Sequence, residues 1–327
     1  MLIYTPPTAA KCIPIIDLGG SFSPNLSDRK AVAWEIHKAC RDIGFFYIEN
    51  HQVPRDAMTD HLALAREFFA LPEHEKREVD VKLSRCTRGY EGLAAQTLDE
   101  GSPPDLKEGF ITGCDLDETH PYVKRGIPGA GPNQWPRQPV YFKQKFNAYV
   151  EHMNRLGQHL MTCLSLSLEL PEDYFAEGLE DPLYFGRLLH YPPQPATASF
   201  NQLGAGAHTD WGTLTMLLQD DVGGLQVRNA DGDWIAAPPI PDTFIVNLGE
   251  MVPIMTNGLY LSTMHRVMNN ASGRSRFSAP HFFDPNYFYH VKCVPTCLPE
   301  NGQVLSAETT VGEHIEFMNR KTYGLVA

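Results

Sequence analysis

The chain has 327 residues, 43% of them hydrophobic and 20% charged, enough apolar material for a substantial core. A formal net charge of −12 argues against nonspecific attraction to nucleic-acid phosphates or anionic lipid. No run approaches the roughly 20 apolar residues needed to cross a bilayer.

The amino-terminal residues lack a basic leader and a long apolar core, so secretion is not expected. Seven cysteines, an odd number with no two-residue-spaced pair, fit a reduced, cytoplasmic protein. The sequons at Asn25 and Asn270 are then expected to be inert.

Residues 13–18 read as a short buried strand. A helix follows to about Asp42, with Ser27 as its N-cap and Val32, Trp34, Ile36 and Ala39 among its apolar positions. Residues 44–50 have aromatic strand character, and a second helix ends near Pro72. Residues 84–112 change texture to a polar, proline-containing loop. Helical periodicity returns over 139–168 through Phe142, Phe146, Val150, Met153, Leu156, Leu160 and Leu164, which predicts a helix packed on the outside of a sheet.

From Leu183 the period becomes strand-like. Candidate strands fall at 183–193, 213–218, 224–228, 233–236, 244–249, 262–268 and 275–283, with Asn229-Ala230-Asp231-Gly232 as a hairpin turn. Short strands without long helices between them favour a β-sandwich or barrel over a parallel α/β sheet. A jelly roll has the inward-facing cavity that the motifs below require. The last forty residues end in a helix. Cys293 and Cys297 lack two further nearby ligands, which argues against structural zinc.

The chemistry concentrates at His208-Thr209-Asp210. Two ligands one residue apart share a side of an extended backbone and can grip one ion together. His265, 55 residues beyond Asp210, is the best third ligand. Two histidines and a carboxylate on one face leave the opposite positions open, as in non-heme Fe(II) oxygenases. The same set can hold Zn(II) with an open water site, so a zinc hydrolase or a metal-bearing binding module is an alternative. Arg276 and Ser278 also alternate onto one face and match a carboxylate, although a structural ion pair is the plainer role for the arginine.

Together, residues 208–210, 262–267 and 276–278 resemble the signature of the 2-oxoglutarate and Fe(II)-dependent dioxygenases, in their isopenicillin-N-synthase-like branch. The strand and helix order of the first 72 residues resembles the amino-terminal region of that branch. The resemblance implies a mainly β fold with α additions, a double-stranded β-helix (jelly roll, cupin-like) core flanked by helices. It divides the chain into 1–115, an amino-terminal region; 116–179, a connection and long helix; 180–286, the jelly-roll core; and 287–327, a carboxy-terminal extension.

It also implies Fe(II) at His208, Asp210 and His265, O2 as oxidant, and 2-oxoglutarate as cosubstrate held by Arg276 and Ser278, with Tyr191 adding a hydrogen bond. A small organic substrate is hydroxylated, desaturated or cyclised, with succinate and CO2 released and no obligate protein partner expected. Arg88, Tyr90 and Phe110 are expected to face substrate, and Phe282 and Phe283 to supply an apolar wall, with core packing the plainer role for at least one of that pair. Glu250 and Leu189 stand where many relatives have aspartate and plant members often have asparagine. An oxidase that uses Fe(II) and O2 without 2-oxoglutarate is the alternative within the same branch.

Overall fold

Strands from both halves of the chain meet in one sheet. The structure is a computed structural model that describes residues 4–6, 9–98, 103–194, 202–268 and 270–322. Its first half contains β1 (Ile15–Asp17), α1 (Leu26–Asp42), β2 (Phe45–Glu49), α2 (Arg55–Phe69), α3 (Glu73–Lys76), β3 (Gly89–Glu91), β4 (Glu108–Gly113), α4 (Pro121–Lys124) and α5 (Phe142–Ser167). The strand-rich half follows with β5 (Leu183–Tyr191), β6 (Ala205–His208), β7 (Leu214–Gln219), β8 (Leu225–Arg228), β9 (Trp234–Ala236) and β10 (Phe244–Leu248). It closes with α6 (Met251–Met255), β11 (His265–Val267), β12 (Arg276–Asp284), β13 (His290–Val291), β14 (Thr309–Thr310) and α7 (Val311–Thr322).

The large sheet has the order β1-β2-β10-β7-β12-β5-β4-β3, and a smaller one the order β6-β11-β8-β9. Apart from the parallel β1–β2 pair, the ladders of both sheets are antiparallel. Residues from both sheets line one cavity, the jelly-roll arrangement. Among the described residues no helix is long and apolar enough to cross a membrane.

Strand alternation decides what enters the cavity. On β12, Arg276, Ser278, Pro280 and Phe282 line it. The intervening residues face the helices: His281 hydrogen-bonds Asn154 of α5 at 3.0 Å, and the Phe283 ring lies against Gly157 of α5. That helix buries Phe142, Phe146, Met153, Leu156 and Leu160 at helical spacing, each removal from water favouring the fold by roughly 1.5–3 kcal/mol. Phe68 of α2 completes this layer against Phe110 and Phe142.

Two expectations need correction. The first helix is entered from Asn25, with no side-chain cap; the Ser23 hydroxyl and the Asn25 amide both turn to Asp28, so Ser27 lies inside the first turn. The stretch expected as a loop over 84–112 holds β3 and β4. β4 is buried at every position between β5 and β3, so it shows no polar alternation, and its two glycines further mask the strand. Because β1 to β4 are hydrogen-bonded into the large sheet, the first 115 residues share a sheet with the core.

Candidate active site

The two histidines are brought together by register. His208 ends β6 directly opposite His265 at the start of β11, and their rings sit 4.3 Å apart between centres. His208 Nδ1 is 2.7 Å from the carbonyl oxygen of Gly206, and His265 Nδ1 is 3.1 Å from that of Thr263. A carbonyl can only accept, so each Nδ1 carries the proton and each Nε2 keeps its lone pair. Both Nε2 atoms approach Asp210 Oδ1, at 3.8 and 3.7 Å.

Asp210 lies beyond the end of β6, in the turn before β7. Its other oxygen, Oδ2, accepts hydrogen bonds from Thr215 Oγ1 at 2.6 Å and Asn247 Nδ2 at 2.7 Å, which leaves Oδ1 to face the imidazoles. The turn is fixed through the backbone: Glu250 N donates to Asp210 O at 2.8 Å and Gly249 N to Thr213 O at 3.0 Å. Thr209 donates to Glu250 Oε1 at 2.5 Å, so Glu250 braces the same turn. One ligand atom from each of the three residues lies within 4.8 Å of the others, a spacing that suits a divalent ion.

Electrostatics agree with metal binding. Burial, and then the neighbouring His265, hold the His208 imidazole well below its ordinary pKa, so it is a neutral ligand at pH 7. Burial pushes Asp210 upward, but His265, His208 and the Asn247 and Thr215 hydrogen bonds outweigh it and hold the carboxyl below its usual range. The donor set fits Fe(II).

The cavity holds about 90 Å³ and opens to solvent. Away from the triad lies Arg276, 1% exposed. Its guanidinium donates to Ser278 Oγ at 3.3 Å and Gln219 Oε1 at 2.9 Å, while Nε has no partner among the described residues. No carboxylate pairs with it among the described residues. A buried arginine without a counter-ion is costly unless an anion arrives, so the residues fit a dicarboxylate that spans metal and guanidinium. Tyr191 also lines the cavity, with its ring face against Arg276.

Of the five residues expected at the substrate, only Phe282 lines the cavity. Arg88 turns away: it donates to the carbonyls of Cys86 and Gly129, at 2.6 and 2.9 Å, and lies over the Phe185 ring. Tyr90 gives its hydroxyl to Glu108, which also takes Lys76 at 2.7 Å and the His190 ring. Phe110 and Phe283 are fully buried on the helix side of the sheet. These four are corrected to scaffold, because pleat parity or local hydrogen bonding directs them elsewhere.

Sequence reasoning missed Asn247, Thr215, Gln219, Lys107 and Arg187. Asn247 had a readable signal, an amide inside the otherwise apolar buried strand β10. Lys107, in the cavity wall, is 2.6 Å from Asp105, whose other oxygen accepts from Gly206 N at 2.9 Å.

A jelly roll with a His-Asp-His site at one end of its cavity and a buried arginine at the other defines a metal-dependent oxygenase scaffold. Comparison with known proteins narrows the class. Residues 184–285 match the model of the 2OG-Fe(II) oxygenase superfamily, and residues 13–138 match that of the non-haem dioxygenase in morphine synthesis N-terminal region.

The chain is 36% identical to the 2-oxoglutarate-Fe(II) type oxidoreductase hxnY of Emericella nidulans, over 95% of this chain and 90% of that protein. It is 37% identical to a 1-aminocyclopropane-1-carboxylate oxidase of Dictyostelium discoideum, over 89% of this chain and 86% of that one. A full-length Neurospora crassa structure solved with alpha-KG superposes with a TM-score of 0.84, at 26% identity, covering 95% of this chain and 96% of that chain. This chain belongs to the 2OG-Fe(II) oxygenase superfamily.

Proposed function

We propose that the chain oxidises a small organic substrate with Fe(II) held by His208, Asp210 and His265 and with 2-oxoglutarate lying between that metal and Arg276–Ser278. When bound, iron with O2 and 2-oxoglutarate supplies the oxidising power, succinate and CO2 being the cosubstrate's products. The chain's own groups place and protect. The Nε2 atoms and Oδ1 hold the metal, Arg276 and Ser278 receive the distal carboxylate, and Tyr191 covers the guanidinium. Phe45, Leu217, Leu225 and Phe282 keep the cavity wall apolar.

The observation that carries this reading is Arg276, buried in the same cavity as the triad and without a carboxylate partner among the described residues. The test is anaerobic titration of Fe(II)-loaded protein with 2-oxoglutarate, followed by the visible metal-to-ligand charge-transfer band of the chelate. A band whose half-saturation rises sharply in Arg276→Met supports the reading. Likeness to a protein named an aminocyclopropanecarboxylate oxidase favours a second reading, in which Arg276 receives a different carboxylate. Iron binding without the band places that oxidase reading first. Zinc binding without iron binding would overturn both.

A further inference from the structure

With the site read as above, one cation in the cavity wall has no counter-charge among the described residues. Fe(II) is balanced by Asp210 and the chelating carboxylate of 2-oxoglutarate, and Arg276 by the distal carboxylate. Lys107 is answered by Asp105. Arg187 also lines the cavity, and its one hydrogen bond among the described residues is to the neutral amide oxygen of Gln96, at 3.4 Å. No carboxylate pairs with it among those residues.

Its place on β5 separates it from the cosubstrate's anchor. Tyr191 is the register partner of Arg276, and Arg187 lies four residues back along the same strand, about 13 Å at strand rise. Ser278 faces Leu189 and His281 faces Gly186, which sets Arg187 beside Pro280. Pro280 in turn faces Leu217, two residues from the Thr215 that holds Asp210. Arg187 therefore stands toward the metal end of the cavity, while Arg276 and Gln219 stand at the other. A dicarboxylate held between Arg276 and the metal leaves Arg187, four residues away along β5, for a different anion.

We propose that Arg187 receives an anionic group of the oxidised substrate, and that this substrate is a small organic carboxylate with an apolar body. The proposal rests on the assignment of 2-oxoglutarate to Arg276. The apolar body follows from Leu98, Leu217, Leu225 and Phe282 in the cavity wall. A guanidinium recognises a carboxylate through paired charge-assisted hydrogen bonds, which a neutral amide cannot replace.

The test uses Zn(II)-substituted full-length protein saturated with 2-oxoglutarate, and saturation-transfer NMR with matched pairs: benzoate and benzamide, phenylacetate and phenylacetamide, hexanoate and hexanamide. Wild type is expected to prefer the carboxylate of at least one pair by about tenfold. Arg187→Gln should lose that preference and bind the amide as before, while Arg187→Lys keeps part of it. Absence of any preference in wild type, or its persistence in Arg187→Gln, overturns the proposal. The charge-transfer band of the Fe(II) protein with 2-oxoglutarate, recorded on the same variants, separates the two assignments. A missing band in wild type counts against the cosubstrate site, whereas an intact band without carboxylate preference counts against Arg187 alone.

Discussion

The guanidinium carbon of Arg276 lies 4.6 Å from the centre of the Tyr191 ring. A cation on an aromatic face is stabilised by about 0.5–2 kcal/mol, more when water is excluded. The ring thus holds the guanidinium in place before any carboxylate arrives. Tyr191→Phe should leave the 2-oxoglutarate requirement within about threefold of wild type, since the face remains. Tyr191→Leu should raise it by roughly three- to thirtyfold. Equal large losses in both would show that the hydroxyl, rather than the ring face, is what matters.

Asn247 aims Asp210 at the metal without touching the metal itself. Partners that orient a ligand typically govern 10–100-fold in metal affinity. Asn247→Ala should therefore weaken Fe(II) or Co(II) binding by about that factor, while the thermal transition of the metal-free protein shifts by only a few degrees. Unchanged metal affinity would mean that Thr215 alone suffices to orient the carboxylate.

Gly249 allows two backbone segments to meet. A Cβ added there would lie 2.1 Å from the carbonyl oxygen of Gly212, in the turn that carries Asp210. Backbone cannot yield as a flexible side chain does, so Gly249→Ala should push the 210–213 turn outward. The expected result is a folded protein, by far-ultraviolet circular dichroism, that has lost most of its metal affinity. Wild-type metal binding in this variant would show that the turn is more tolerant than the close approach implies.

Acid should destabilise the fold from pH 6.5 downward, through buried histidines. Burial pushes the His61 and His281 imidazoles down to about 3 in the folded chain. The unfolded chain takes up these protons near 6.5, so it binds more protons throughout the interval. Stability therefore falls as pH drops below 6.5, by about 1.4 kcal/mol per pH unit for each histidine, until the folded values are reached.

Asp284 opposes this in part. Burial raises its carboxyl to about 6, so its contribution is present below the unfolded value of 3.8 and fades as pH rises through 6. The urea midpoint, measured from pH 7.5 down to 5, should hold above 7 and fall progressively once pH drops below 6.5. His61→Phe should flatten that fall. An identical slope in the variant would remove His61 from the explanation.

Local pattern alone determined the strand-rich second half, the long amphipathic helix and the ordered motifs around His208, His265 and Arg276. Periods of two and 3.6 follow from backbone geometry, and ligand chemistry follows from residue type. Those signals are carried by neighbouring residues, so they survive in the linear chain.

Tertiary structure decided which side chains share the cavity. Asn247, Thr215 and Gln219 lie on strands whose partners are far away in the chain, and their roles emerge only when β7, β10 and β12 pair in one register. Tyr90, Phe110 and Phe283 were misread for the complementary reason, since a one-residue change of parity moves a side chain through the sheet, and Arg88 because backbone carbonyls of Cys86 and Gly129 hold it. Whether a cation is already answered is likewise a matter of through-space neighbours. Arg276 and Lys107 are both buried positive charges; Lys107 meets Asp105 two residues before it, whereas the fold brings no carboxylate to Arg276 among the described residues.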